Sequence, residues 1–233
     1  MSGGQHPRAV APAAVVFDCD GTLADTEPMT ARVFDRVLAR YGYRLTATDV
    51  DEIIGRTLEQ NHAYLLDLVE LPSYEEFDRE WYEESYRALE VELELFEDAV
   101  TVVLDLAAEG IPIGVASSSP REHVRRILDR AGLTDLVSAV VAHEDVDEHK
   151  PDPAPYQRAA ALLGVDVTCA VAVEDTSVGI AAARAAGMVT IGVSRSGIDP
   201  ATLGDADHVV RELTTIDVLW ACTMGPRGDS STR

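Results

Sequence analysis

From about residue 98 onward, short apolar runs alternate with helical patterns, and most of the helical patterns end at a glycine. Glycine is common just after the last turn of a helix, because it adopts the left-handed conformation at little cost. Strands that alternate with helices form a parallel sheet with right-handed crossovers. Together with an earlier first strand, the predicted strands are 13–16, 111–116, 137–141, 170–173, 189–193 and 208–210. With 46% hydrophobic residues among 233, the chain can bury the core of such an α/β domain.

The segment from residue 28 to residue 92 differs, because it shows helical spacing and no strand pattern. Apolar residues recur at steps of three and four in 27–43, 48–54, 58–69 and 74–89. The segment follows the first predicted strand, so we interpret it as a small all-helical domain inserted into the sheet domain. The predicted organisation is a core of 1–27 and 93–222, an insertion of 28–92 and a disordered tail of 223–233.

Charge and cysteine content limit the expected partners and compartment. A formal net charge of -22 predicts a surface that repels nucleic acid and anionic membranes. No apolar stretch is long enough to span a bilayer, and the N-terminus lacks the apolar centre of a signal peptide. Cys19, Cys169 and Cys222 are far apart, which favours reduced thiols. We therefore expect a cytoplasmic protein, a monomer or small homo-oligomer, without nucleic-acid or membrane partners.

Two acidic residues, Asp18 and Asp20, directly follow the first strand in the segment FDCDGT. Like charges this close raise each other's pKa or recruit a cation. An acidic turn or helix cap would also use aspartate. An EF-hand calcium loop has glycine at its sixth position and lies between helices, whereas here glycine comes fourth, after a strand. Because ligands bind at the carboxyl edge of an open α/β sheet, the segment predicts a metal-assisted site at that edge.

Three other strand ends carry polar residues. Ser117 and Ser118 follow a strand and open a helix, where they can bind an anion or simply cap the helix. Lys150, the only lysine of the chain, lies between a strand and a helix, and its compact ammonium differs physically from the arginines used elsewhere. An exposed loop cation is the alternative. Glu174 and Asp175 end another strand, where they can cap the next helix or clamp a cation together with the first acidic pair.

The strand ends therefore carry, in order, Asp-x-Asp, a serine pair, a lysine and Glu-Asp. This order resembles the haloacid dehalogenase superfamily over residues 14–210. The inserted block resembles the helical cap of the subgroup that includes β-phosphoglucomutase, phosphoglycolate phosphatase and sugar phosphatases. The resemblance implies a Rossmann-like core with a helical cap, and a Mg²⁺-dependent phosphatase that hydrolyses a small phosphorylated metabolite through an aspartyl-phosphate. Dehalogenases of the superfamily lack the second aspartate of the first motif, so Asp20 argues against carbon–halogen chemistry.

The resemblance also implies roles for the acidic residues. Asp18 would be the nucleophile that attacks phosphorus, which splits a difficult hydrolysis into two easier steps. Asp20 would act as general acid and base, and its backbone carbonyl would face the metal. The implied metal ligands are thus Asp18, Asp20 and Asp175, with Glu174 alongside or behind them. Oxygen ligands of this kind fit Mg²⁺ better than a softer metal.

Further residues are implied to bind the substrate. Lys150 would join the catalytic group and hold the phosphoryl oxygens together with Ser117 and Ser118. Arg56, in the inserted block, would meet the end of the substrate that carries no phosphate. A solvated cation at a helix end is the alternative for Arg56.

Two other functions remain open from the sequence. A β-phosphoglucomutase-type mutase would have a histidine where this chain has Thr30, and an arginine where it has Leu58, so both positions favour a phosphatase. The strongly acidic stretch 75–98 is interpreted as a solvated helix face. A surface that binds calcium or a partner is the non-enzymatic alternative for that stretch.

Overall fold

The structure, a computed structural model, describes residues 11–53, 56–195 and 199–224, with side chains described as far as residue 221. The chain divides into two units, which are Ala24–Glu94 and the combination of Met1–Leu23 with Leu95–Arg233. We call Ala24–Glu94 the helical unit and the remainder the sheet unit. The boundaries follow residues 23 and 94, whereas the sequence predicted them after residues 27 and 92.

Within the described residues the chain forms eight strands and nine α-helices. The strands are β1 (Ala14–Phe17), β2 (Ala24–Asp25), β3 (Glu94–Leu95), β4 (Ile113–Ala116), β5 (Ala139–Val141), β6 (Ala170–Glu174), β7 (Val189–Val193) and β8 (His208–Val210). The helices are α1 (Glu27–Ala39), α2 (Ala47–Ile53), α3 (Leu58–Leu65), α4 (Tyr74–Val91), α5 (Glu97–Ala108), α6 (Arg121–Ala131), α7 (Ala154–Leu163), α8 (Ser177–Ala186) and α9 (Thr215–Met224). Strands and α-helices alternate from α5 to β7, which confirms the pattern predicted for this part of the chain.

The sheet unit is built on six parallel strands in the order β5-β4-β1-β6-β7-β8. β1 lies between β4 and β6, and Phe17 is opposite Val115 on one side and Val173 on the other. Every residue of β1, β4, β6 and β7 is buried, as expected for strands of a parallel sheet covered on both faces. The predicted α/β fold is confirmed, and the carboxyl ends of β1, β4 and β6 meet at one edge.

The helical unit has its own apolar core between α1 and α4. Phe34 of α1 lies 5.5 Å from Trp81 of α4, measured between ring centroids, and Phe77 is also buried in this core. Part of the acidic stretch on α4 is paired, because Glu84 binds Arg36 at 2.8 Å and Arg40 at 2.6 Å. This side of α4 is therefore an ion-paired surface as well as a solvated one.

The structure also differs from the predicted elements in places. β2 and β3 form a separate two-stranded sheet that the sequence did not reveal, since two residues are too few to show an alternating pattern. The predicted strands 111–116 and 137–141 begin only at Ile113 and Ala139. α9 extends to Met224, two residues into the predicted tail, and the rest of that tail lies outside the described residues.

Two further features concern the cysteines and the helices. Cys19 and Cys169 are free thiols, while the side chain of Cys222 lies outside the described residues. In the parts of the chain that the structure describes, no helix has the length and apolar character needed to cross a membrane.

Candidate active site

The parallel register brings Asp18 and Glu174 together at the edge of the sheet. Phe17, the last residue of β1, is opposite Val173, and the backbone N–H of Asp18 donates to the carbonyl of Val173 at 2.9 Å. Asp18 therefore follows β1 at the level where Glu174 ends β6. Lys150, which precedes α7, reaches the same point. Asp18, Lys150 and Glu174, separated along the sequence, form one cluster.

Lys150 is an interior cation and not an exposed loop residue. Its Nζ lies 2.5 Å from Oδ1 of Asp18 and 2.6 Å from Oε1 of Glu174, and only 6% of the side chain is exposed. A buried charge is tolerated when it is paired and hydrogen-bonded. Burial by itself would lower the pKa of Lys150, but the charges of Asp18 and Glu174 outweigh this and raise it well above its ordinary value. Lys150 is therefore held as an ammonium ion beside Asp18.

Glu174 is fully buried, and both of its carboxylate oxygens accept hydrogen bonds. Oε1 accepts from Lys150 and from the hydroxyl of Tyr156, the latter at 2.8 Å. Oε2 accepts from the Thr176 hydroxyl at 2.9 Å and from the backbone N–H groups of residues 175 and 176. The site also depends on Gly179, because a Cβ there would lie 1.7 Å from Oε1 of Glu174. With donors on both oxygens, Glu174 is suited to anchoring Lys150.

Asp18, Glu174 and Asp175 each offer a carboxylate oxygen, and these three oxygens lie within 4.8 Å of one another. Burial, opposed by Lys150, raises the pKa of Asp18 well above its ordinary value. Burial, together with the charge of Glu174, raises the pKa of Asp175 to about 7. Three buried carboxylates against one lysine leave an excess of negative charge that a hard cation would neutralise.

The turn after β1 makes room for Asp175. Gly21 has a φ of +81°, and a Cβ at this position would lie 2.0 Å from Oδ2 of Asp175. The hydroxyl of Thr22 donates to Oδ1 of Asp175 at 3.1 Å. The glycine of the FDCDGT segment therefore permits the close approach of the second acidic pair, and the donor set and its cradle fit a cation such as Mg²⁺.

The side chain of Asp20 lies in different surroundings from that of Asp18. It is 30% exposed, and it faces the start of α6. His123 Nε2 lies 2.9 Å from Oδ1 of Asp20, and Ser119 Oγ donates to Oδ2 at 2.8 Å. Ser117 Oγ is farther from Oδ2, at 3.4 Å, while Ser118 is exposed. The structure thus groups Asp20 with the serines, and places Asp18 with Lys150 and the second acidic pair.

Three side chains in this region were not predicted from the sequence. Ser119 belongs to the same serine run as Ser117 and Ser118, but the prediction assigned a role only to those two residues. His123 and Tyr156 lie on the buried faces of α6 and α7, where a ring at helical spacing is typical of a core position. The sequence signal for them was therefore the same as that for packing residues.

Arg56, Thr30 and Leu58 lie in the helical unit. Arg56 forms an ion pair with Glu52, and its guanidinium lies 5.4 Å from the centroid of the Tyr64 ring. Thr30 lies in α1, and Leu58 is the first residue of α3. The contact of Arg56 with a substrate stays a prediction.

Comparison with known proteins identifies the family of the chain. The sequence profile of the family described as haloacid dehalogenase-like hydrolase matches residues 15–193. Over 207 residues the chain is 28% identical to validoxylamine A 7'-phosphate phosphatase of Streptomyces hygroscopicus subsp. limoneus, an alignment that covers 88% of this chain and 95% of that protein. Over 211 residues it is 31% identical to a phosphoglycolate phosphatase of Neisseria meningitidis, covering 85% and 86% of the two chains.

A solved structure supports the same assignment. The crystal structure of CbbY from Rhodobacter sphaeroides in complex with phosphate matches with a TM-score of 0.78 at 25% identity, and covers 88% of this chain and 96% of that chain. The family resemblance inferred from the strand-end motifs is confirmed. The chain belongs to the haloacid dehalogenase-like hydrolase family.

Proposed function

We propose that the protein is a Mg²⁺-dependent phosphatase that hydrolyses a small phosphorylated metabolite through an aspartyl-phosphate on Asp18. The observation that carries the proposal is the pairing of Asp18 with a buried Lys150, next to two further buried carboxylates at the sheet edge. Family membership and the phosphatases among the relatives support a phosphoric monoester hydrolase.

Asp18 is the proposed nucleophile. Lys150 binds its Oδ1, so we assign the attack on phosphorus to Oδ2. In the first step Oδ2 bonds to phosphorus, the bond to the leaving oxygen breaks, and Asp20 gives that oxygen a proton. In the second step water attacks phosphorus, Asp20 takes a proton from the water, and the bond to Asp18 breaks to release phosphate.

Two groups are proposed to hold the phosphoryl oxygens. Lys150 supplies a fixed positive charge, because the carboxylate of Glu174 anchors it at 2.6 Å. Ser117 supplies a hydroxyl from a largely buried position at the end of β4. Donors that are already in place when negative charge develops are the main source of electrostatic catalysis.

Asp18, Asp175 and the backbone carbonyl of Asp20 are the proposed ligands of Mg²⁺. When bound, the ion supplies positive charge that offsets the carboxylates and the phosphoryl group. Glu174, whose oxygens already accept hydrogen bonds, stays behind these ligands and holds Lys150.

The mutase alternative ranks below the phosphatase, since Thr30 and Leu58 occupy the positions that separate the two patterns. Incubation with β-glucose 1-phosphate and a trace of glucose 1,6-bisphosphate distinguishes them. We expect at most free phosphate. Efficient formation of glucose 6-phosphate without phosphate release would favour the mutase.

The central test is phosphate release from p-nitrophenyl phosphate and from a panel of phosphorylated metabolites, with Mg²⁺ and with EDTA. We expect turnover with Mg²⁺ that EDTA removes and that Asp18→Asn abolishes. Asp51→Asn, in α2 of the helical unit, is the matched control and should retain activity. A folded Asp18→Asn protein with substantial turnover would refute the nucleophile assignment, and a wild-type protein without turnover would favour the binding alternative.

A further inference from the structure

The carboxylate of Asp20 is held from one side by two residues near the start of α6. Ser119, two residues before the helix, donates to Oδ2 at 2.8 Å, and His123, in its first turn, lies 2.9 Å from Oδ1 through Nε2. Ser117 Oγ is a more distant donor to Oδ2, at 3.4 Å, so each oxygen has at least one partner. Two bonds to different oxygens fix both the position and the plane of a carboxylate, whereas one bond would let it rotate.

The surroundings of His123 identify which ring nitrogen carries the proton. The ring is 4% exposed, and Nδ1 is buried without a hydrogen-bond partner in the described structure. A proton on Nδ1 would leave a buried N–H without an acceptor. The ring with its proton on Nε2 avoids this, and it donates that proton to Oδ1 of Asp20.

His123 is also a rigid support. It lies on the buried face of α6 beside Val124 and near Ile127 and Leu128 on the same face, all of which are at most 3% exposed. A ring packed in this way has few alternative rotamers. Asp20 keeps 30% exposure of its side chain, so it remains accessible from the solvent side while His123 does not.

We propose that His123, together with Ser119, is a positioning residue that orients the Asp20 carboxyl group for proton transfer to the leaving oxygen. The inference rests on the proposed acid–base role of Asp20. His123 acts through Asp20 and does not contact the substrate. Its removal should therefore matter most for esters whose leaving group needs a proton.

Phenyl phosphate and p-nitrophenyl phosphate provide the test, since they differ only in the nitro group. Phenolate is the more basic leaving group and depends more on protonation. We expect His123→Leu to lower kcat/KM for phenyl phosphate about tenfold more than for p-nitrophenyl phosphate, as a part of the 10²–10⁴-fold that general acid–base catalysis supplies. KM should change little. His123→Gln, which restores an N–H donor, should recover most of the loss.

Three further variants separate the possible outcomes. Asp20→Asn should show the same preference for the better leaving group, and His123→Leu should cause no additional loss in that background. His208→Leu, the same substitution in β8 at the far edge of the sheet, is the control and should leave the ratio of the two substrates unchanged. If Asp20→Asn itself has no effect, the acid–base role in the proposed function is refuted.

Suppose that Asp20→Asn is selective but His123→Leu lowers kcat/KM equally for both substrates, or lowers the activity of Asp20→Asn further. His123 is then only a structural residue and the inference is overturned. Should His123→Leu fail to fold, Ser119→Ala tests the same geometry. Ser119→Ala should also lower kcat/KM more for phenyl phosphate than for p-nitrophenyl phosphate, but by a smaller factor. A Ser119→Ala protein with an unchanged ratio of the two kcat/KM values would contradict the inference.

Discussion

The acidic surface of α4 in the helical unit and the acidic cluster at the edge of the sheet hold their side chains in opposite ways. In the helical unit, Glu84 pairs with Arg36 and Arg40, and these arginine side chains remain 35% and 42% exposed. In the sheet unit, Asp18, Glu174 and Asp175 are all buried, and a single lysine pairs with the first two. The helical unit has the longer acidic stretch, yet Asp18 and Asp175, the carboxyl groups whose pKa burial raises strongly, belong to the smaller cluster.

Solvent accounts for this difference. Exposed ion pairs are screened, and each contributes about 0–1 kcal/mol to stability. Buried carboxylates lose their hydration, so they take up a proton, require a cation or accept several hydrogen bonds, as the buried Asp49 of the helical unit does from Thr46, Tyr43 and Tyr64. The density of acidic residues in a sequence is therefore a poor indicator of a functional site. A group of buried carboxylates that outnumber the nearby cations is a better indicator of a functional site.

The largest effect is expected from Lys150→Arg. A planar guanidinium should not replace the ammonium ion between Oδ1 of Asp18 and Oε1 of Glu174, so kcat/KM for p-nitrophenyl phosphate should fall at least about 10²-fold. Arg125→Lys, the reverse exchange at an exposed ion pair of α6, is the control and should have little effect. A Lys150→Arg enzyme within about threefold of wild type, or roughly 0.6 kcal/mol, would remove Lys150 from the mechanism.

The next largest effect is expected on thermal stability when the charge of Asp175 is removed in the absence of metal. The pKa of Asp175 is about 7 in the folded protein and 3.8 ordinarily, so its ionisation lowers the free energy of unfolding. This destabilisation is complete above about pH 7 and absent below the ordinary pKa. In EDTA, Asp175→Asn should therefore raise Tm, by at least about 3 °C at pH 8 and by less at pH 5. Asn keeps an acceptor for Thr22.

Thermal unfolding at the two pH values, with and without Mg²⁺, measures this effect. The variant should also lose the stabilisation that Mg²⁺ gives to the wild type, as well as its activity. A lower Tm at pH 8 for Asp175→Asn in EDTA would show that the ionised Asp175 does not destabilise the fold.

A smaller effect is expected from Tyr156→Phe, which removes one hydrogen bond to Glu174 and leaves the ion pair with Lys150. The free energy of unfolding should fall by about 1–2 kcal/mol, and kcat should fall less than in Lys150→Arg. Urea denaturation gives the first quantity. Tyr74→Phe, at a 3.3 Å hydrogen bond on the surface of the helical unit, is the control. Equal losses of unfolding free energy in the two variants would show that a buried hydrogen bond is worth no more here than an exposed one.

The smallest effect is expected in the helical unit. Glu84→Gln weakens three ion pairs at once, with Arg36, Arg40 and Arg87, yet the free energy of unfolding should change by less than about 1 kcal/mol for each pair, because the arginines are partly or largely exposed. Added salt should reduce the difference from wild type further. A loss that is larger and independent of salt would mean that this acidic surface is as closely packed as the buried cluster.

Much of the fold and part of the site could be predicted from the sequence. The alternation of strands and helices predicted the parallel sheet. The strand ends indicated that the two acidic pairs could bind one cation, and the family resemblance added Lys150 to the same site. β2 and β3 could not be predicted, since two residues carry no periodicity. His123 and Tyr156 could not be recognised, because a ring on the buried face of a helix has the same pattern whether it only packs or also hydrogen-bonds.

The sequence by itself determined the elements and the order in which polar residues follow the strands, because these depend on local periodicity and on chain connectivity. Only the tertiary structure decided which of these residues share a hydrogen bond and which are shielded from water. Lys150 and Asp18 are 132 positions apart, and Ser119 and Asp20 are 99 positions apart. Their distances and their loss of hydration arise only when the sheet has formed, and these two quantities set the charge state and the orientation of the acidic side chains.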